Sequence, residues 1–189
     1  MLLNIFGPSG SGKTTFIREL LKKNKTHQFF QEFTNKESKE NLNKKISISL
    51  IPLPAFRGTI EEYFMIFSIN INDFLNLNNQ LRDLAESVFG KIVDKNSLVK
   101  LSKRSVETFS AGEMRRLFIL KSLIINQPIT IVDEPFSNSD EKLWSTIYSA
   151  LQTVPRIIIL SHLSLEKFLP FDDQYKSLHI EEVRLKFKI

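Results

Sequence analysis

Gly7-Pro8-Ser9-Gly10-Ser11-Gly12-Lys13-Thr14, followed by Thr15, have the types and spacing of a loop that wraps an anion. Glycines let the backbone curl until successive N–H groups face one point. A helix opening at Lys13 adds the positive end of its dipole to the same point. The pattern G-x-x-x-x-G-K-[ST], between an apolar strand and a helix, is that of a phosphate-binding loop. Its chemistry assigns Lys13 to the β- and γ-phosphates and the Thr14 hydroxyl to Mg²⁺. The loop therefore reads as a nucleoside triphosphate site.

Two further stretches supply what such a loop needs. "ITIVDEP" (129–135) ends an apolar run on Asp133, a carboxylate suited to support Mg²⁺ and its water shell. Glu134, one residue on, is suited to polarise an attacking water as general base. A helix cap or a solvated turn would use the same acidic pair, and the phosphate loop in the same chain favours the catalytic reading. "RIIILSH" (156–162) repeats the arrangement, with Ser161 and His162 after an apolar run. An imidazole there can hydrogen-bond phosphate or water, although a lone loop histidine is more often only polar. "FSAGEMRR" (109–116) places Ser110, Ala111 and Gly112 at a helix start, where exposed N–H groups favour an anion. An ordinary N-cap at Ser110, with Glu113 as its capping-box partner, explains the same residues locally.

The elements that must carry these groups follow from periodicity. Leu2 to Phe6 reads as a buried strand and Thr14 to Lys23 as the helix after it. A possible strand lies around His27 to Phe33, and "ISISLI" (46–51) alternates as a strand that Pro52 and Pro54 stop. Residues 58–109 carry apolar positions at helical spacing, with Gly90 as a stop. Then come a helix over Ser110 to Ile125, the strand "ITIVD", a helix over Asp140 to Leu151 and the strand "RIIIL". A short helix from Ser164 and two strands, "YKSLHI" and "VRLKFKI", end the reading. Strands alternating with helices imply an α/β fold: a P-loop NTPase with a mostly parallel sheet flanked by helices. The whole of 1–189 reads as a single domain, with a helical subdomain inserted at about 55–125.

Taken in order, these motifs resemble the nucleotide-binding domains of ATP-binding cassette (ABC) proteins. GPSGSGKTT resembles their Walker A loop, FSAGEMRR their signature, and ITIVDEP their Walker B strand with the catalytic glutamate. SNSD (137–140) resembles the D-loop, and IIILSH the switch histidine. The resemblance implies an ATPase with ATP and Mg²⁺ as ligands, working as a head-to-tail homodimer or paired with a related cassette. Each ATP would lie between one copy's Walker A loop and the other's Ser110-Ala111-Gly112-Glu113, with Asp140 at the same face. The partner it implies is a separately encoded integral-membrane permease, which places the chain in the cytoplasm, peripheral to the inner face of the membrane. The alternative is a soluble ABC ATPase acting on nucleic acid or a cytosolic complex.

Two departures from the family pattern are expected to matter. The chain starts at the Walker A strand, so the N-terminal aromatic that stacks on adenine is expected to be missing, with Phe29 or Phe30 as substitutes. ATP-over-GTP preference is therefore open. Leu53 falls where the family has a glutamine that touches Mg²⁺, and a leucine cannot ligate a cation.

Composition is consistent with this reading. The 189 residues are 42% hydrophobic, include 16 Phe and carry a formal charge of +5. The absence of cysteine excludes disulfides and thiolate metal sites. Lysine-rich stretches, such as Lys100, Lys103 and Arg104, read as a solvated face. No run of apolar residues approaches a membrane span, and the N-terminus is not expected to act as a secretory leader.

Overall fold

The computed structural model describes residues 2–23, 25, 28–29, 46–50, 56–137, 139–162, 164–165 and 175–187. Five strands form one sheet in the order β2-β3-β4-β1-β5, and every neighbouring pair is parallel. In chain order the elements are β1 (Leu2–Phe6), α1 (Lys13–Lys22), β2 (Ile46–Ser49), α2 (Ile60–Met65), α3 (Asn79–Phe89), α4 (Lys95–Ser102), α5 (Ala111–Ile124), β3 (Ile129–Asp133), α6 (Glu141–Leu151), β4 (Ile157–Ser161), β5 (Tyr175–His179) and α7 (Ile180–Phe187). Two 3-10 turns, Ile71–Asn76 and Val106–Thr108, separate some of the helices.

The described residues divide into two compact units. One holds the sheet, α1 and α7, and comprises Met1–Ile51, Gln127–Glu134 and Val154–Ile189. Its central strands β3 and β4 are buried at every residue, the pattern of parallel strands covered on both faces. Phe16, Ile17 and Leu20 line the buried stripe of α1 and pack with Leu3, Ile5 and Phe187.

The other unit is helical, Pro52–Asn126 with Pro135–Thr153. It therefore takes in α6 as well as the stretch read as an insertion. Tyr63, Phe64, Phe74, Phe89 and Phe118 meet ring to ring at its centre, which accounts for part of the phenylalanine content. Side-chain caps start its helices: Thr59, Asn78, Asp94, Ser110 and Asp140 each accept from a backbone N–H in the first turn.

The "VRLKFKI" strand expectation fails, because Val183 to Phe187 lie in α7. Ile180, Val183 and Phe187 are the buried residues of that segment, and their spacing is that of one helix face rather than a period of two. Phe29 is not a platform for a base: it is fully buried between Phe16 and Phe187, at ring distances of 5.8 and 5.0 Å. Residues 28–29 are helical, and the rest of the strand expected at 27–33 lies outside the described residues, as do Phe30, Leu53 and 166–174. Among the described residues, no helix is long and apolar enough to cross a membrane.

Candidate active site

Strand register brings the phosphate loop, the acidic pair and the histidine to one edge of the sheet. Ile5 pairs with Leu160 and Phe6 with Ser161, while Asp133 pairs with Leu160. Gly7, Glu134 and His162 therefore leave three adjacent strands within about one residue of the same height. This is the carboxyl edge where open α/β sheets bind ligands. Backbone bonds hold the exits together: Gly7 N–H donates to Ser161 O at 3.2 Å, and Glu134 N–H to Leu160 O at 2.8 Å.

Within the loop, Gly12 caps α1 in left-handed backbone (φ 84°), a conformation that selects glycine. A Cβ there would also stand 2.6 Å from Arg184 Nη2, since Arg184 of α7 lies against the loop and donates to Ser11 O at 3.2 Å. Lys13 is buried, and its ammonium donates to the carbonyls of Gly7 (2.7 Å) and Pro8 (3.1 Å). The Ser11 hydroxyl is buried without a hydrogen-bond partner among the described residues, an atom that a phosphate oxygen would satisfy. Pro8, Ser9 and Gly10 form the exposed tip, and Thr15 is exposed on α1.

Thr14 Oγ1 donates to Asp133 Oδ2 at 2.9 Å, joining two hard oxygens from α1 and β3. His162 Nδ1 lies 2.9 Å from Glu134 Oε2; with a carboxylate as partner, Nδ1 carries the proton. Glu134 has a positive φ of 50°, unusual for a non-glycine residue and the kind of outlier that gathers at functional sites. Sequence reading could not see this strain, because nothing in "VDEP" distinguishes an ordinary strand end from a left-handed one.

The remaining candidates lie in the helical unit. Ser110 is the N-cap of α5, and its N–H and hydroxyl both donate to Glu113 Oε2 at 2.8 Å. The capping box is thus real. Burial works against the charge on Glu113, but hydrogen bonds from the Ser110 backbone and hydroxyl, with Arg104 and Arg116 beside it, outweigh burial. They hold its carboxyl below the usual range. Ala111 and Gly112 form the first turn, and Asp140 caps α6 by accepting from Leu143 N–H at 2.8 Å.

Three arginines had no role in the sequence reading. Arg104 is not part of a merely solvated face. It donates to the carbonyls of Val88 and Phe89 at the end of α3, covers the Phe109 ring and pairs with Glu113 at 3.6 Å. Arg115 donates to Ser137 Oγ, and Arg116 to Ser87 O at 3.2 Å. Their hydrogen-bond and ion-pair partners are 9 to 29 positions away, and no local pattern announces them.

A family model described as "ABC transporter" matches residues 1–137. The chain belongs to the ABC transporter family. Among its relatives, the zinc import ATP-binding protein ZnuC of Ehrlichia ruminantium (strain Gardel) is 29% identical over 166 residues. That match covers 87% of this chain and 60% of ZnuC. The molybdate/tungstate import ATP-binding protein WtpC of Methanocaldococcus jannaschii is 28% identical over 163 residues, covering 82% and 51%. This ABC-family chain thus spans roughly half to three-fifths of those relatives' lengths. A solved putative ABC transporter ATP-binding protein from Pyrococcus furiosus superposes with a TM-score of 0.58. It is 21% identical, the match covers 94% of this chain and 84% of that one, and the likeness establishes the shared fold.

Proposed function

We propose that this chain is the ATP-hydrolysing cassette of a transport system. In this reading residues 1–189 act as one cassette, with Mg²⁺, as one of a head-to-tail pair that energises a separately encoded membrane permease. The observation that carries the proposal is the convergence of Thr14–Asp133 and Glu134–His162 on the edge that holds the phosphate loop. The import roles in the names of ZnuC and WtpC support transport over the nucleic-acid alternative. The chain would then sit at the cytoplasmic face of a membrane through its partner.

The residues divide the work as follows. The N–H groups of Gly10, Gly12 and the first turn of α1 meet the phosphates, and the Lys13 ammonium exchanges its loop carbonyls for β- and γ-phosphate oxygens. Thr14 Oγ1 and Asp133 fit Mg²⁺, which takes one or two carboxylates along with phosphate oxygens and water. When bound, the cation neutralises charge developing on the phosphates. Glu134 takes the proton of the attacking water, while His162 holds that carboxylate through Nδ1.

Ser110, Ala111 and Gly112 would meet the γ-phosphate held by a second copy. Among the described residues a Cβ at Gly112 would meet just the ends of two flexible side chains, Arg116 Nη1 at 3.4 Å and Ser110 Oγ at 4.0 Å. Close approach from outside is therefore a better reason for this glycine than internal packing. Glu113 and Asp140 would shape the same surface by capping their helices.

Glu134→Gln tests the proposal. Turnover of ATP is expected to fall by at least about 100-fold, and the variant to elute as a dimer with ATP and Mg²⁺. A variant that stays monomeric would sink the paired site, and GTP run alongside reports base preference.

A further inference from the structure

Asn4 sits in the middle of β1 between Leu3 and Ile5, and all three are fully buried. A polar side chain persists there only if its amide is satisfied. Both ends are. The buried Ser161 hydroxyl donates to Asn4 Oδ1 at 2.8 Å, and Asn4 Nδ2 donates to Ser177 Oγ at 3.2 Å. Ser177 Oγ lies in turn 3.2 Å from Ser164 Oγ.

This chain of hydroxyls and one amide has a definite destination. Ser161 immediately precedes His162, and Ser164 follows it by two residues. Both flanks of the imidazole are therefore tied, one directly and one through Ser177, to a single side chain. The sheet order explains why that side chain is on β1, which lies between β4 and β5 and alone neighbours both. An apolar residue at position 4 would leave Ser161 without this acceptor and break the link to Ser177.

We propose that Asn4 is a positioning residue for His162, holding both flanks so that Nδ1 meets Glu134 Oε2. Asn4 touches no reacting atom. It acts through the segment that presents the histidine, three strand residues below the phosphate loop. Its kinetic consequence rests on the hydrolytic reading given above; its structural consequence does not.

Two variants separate this role from general core support. Asn4→Leu keeps the volume and removes both bonds, while Ser177→Ala removes only the outer link, on a partly exposed edge strand. Single-turnover ATP hydrolysis is expected to slow about 10-fold in Asn4→Leu and about 3-fold in Ser177→Ala, with KM changed less than about 2-fold. In a His162→Ala background neither variant should slow the reaction by more than about 2-fold, because coupled residues are non-additive. A full 10-fold loss persisting in that background, or a matching rise in KM, overturns the proposal. Amide exchange at Ser161 and His162 should quicken about 10-fold in both variants, a readout independent of turnover. Unchanged exchange also overturns it. Faster exchange in a protein that does not hydrolyse ATP sustains the positioning role and removes only the hydrolytic reading.

Discussion

Glu134 holds its place against local preference. Left-handed backbone costs a non-glycine residue about 1–2 kcal/mol, and the bond from its N–H to Leu160 O helps to maintain it. The turn aims the carboxylate at His162 Nδ1 instead of continuing β3. Glu134→Gly removes the strain together with the functional group. Its stability to urea is expected to equal the parent's or exceed it by up to about 1 kcal/mol, while ATP turnover is lost. A variant more than about 1 kcal/mol less stable would show that the conformation is not strained. The same scale explains Asn4. Reading Leu2 to Phe6 as an unbroken apolar run passes over the one polar residue whose partners, Ser161 and Ser177, lie on two other strands.

At the scale of elements, α5 begins with a capping box that is complete in itself, and its carboxylate is held below the usual range. A lowered folded pKa places the stabilisation above the ordinary glutamate value near about 4.3 and removes it as pH falls through the lower folded value. Glu113→Gln should therefore cost about 1 kcal/mol at neutral pH, with the difference from the parent vanishing toward strongly acid pH. Urea titrations of both proteins across that range measure it; a constant difference would mean the charge plays no part. α7 carries a different lesson. Its buried Ile180, Val183 and Phe187 close the sheet unit's core, while Arg184 reaches the phosphate loop at Ser11 O. A stretch that reads as a strand in the sequence thus becomes a helix that supports the loop.

At the scale of the whole molecule, the chain passes between its two units at 51–52, 126–127, 134–135 and 153–154. Glu134 is the last residue of the sheet unit before one of those passages, and Phe136 and Trp144 follow it in the helical unit. Trp144, the only tryptophan, stacks on Phe136 at 4.5 Å and on Tyr148 at 5.4 Å. Any movement of the Glu134–Asp140 segment on nucleotide binding would slide Phe136 against the indole. Tryptophan emission is expected to change with ATP and Mg²⁺ in the parent and to stay constant in Lys13→Ala; an unchanged parent signal would argue that this segment does not move.

Gly7 to Thr14, Asp133, Glu134, His162 and the Ser110 cap were legible because each depends on a few neighbouring residues and on the strand or helix beside them. Spacing alone carries that information. The left-handed turn at Glu134, the amide link from Asn4 to both flanks of His162, the burial of Phe29 and the arginines at 104, 115, 116 and 184 were decided by the folded chain. Their hydrogen-bond and ion-pair partners lie 9 to 173 positions away, or on a neighbouring strand. Sequence by itself determined which groups could do the chemistry. Only tertiary structure decided how they are held, because hydrogen bonds and packing between distant segments leave no periodic mark along the chain.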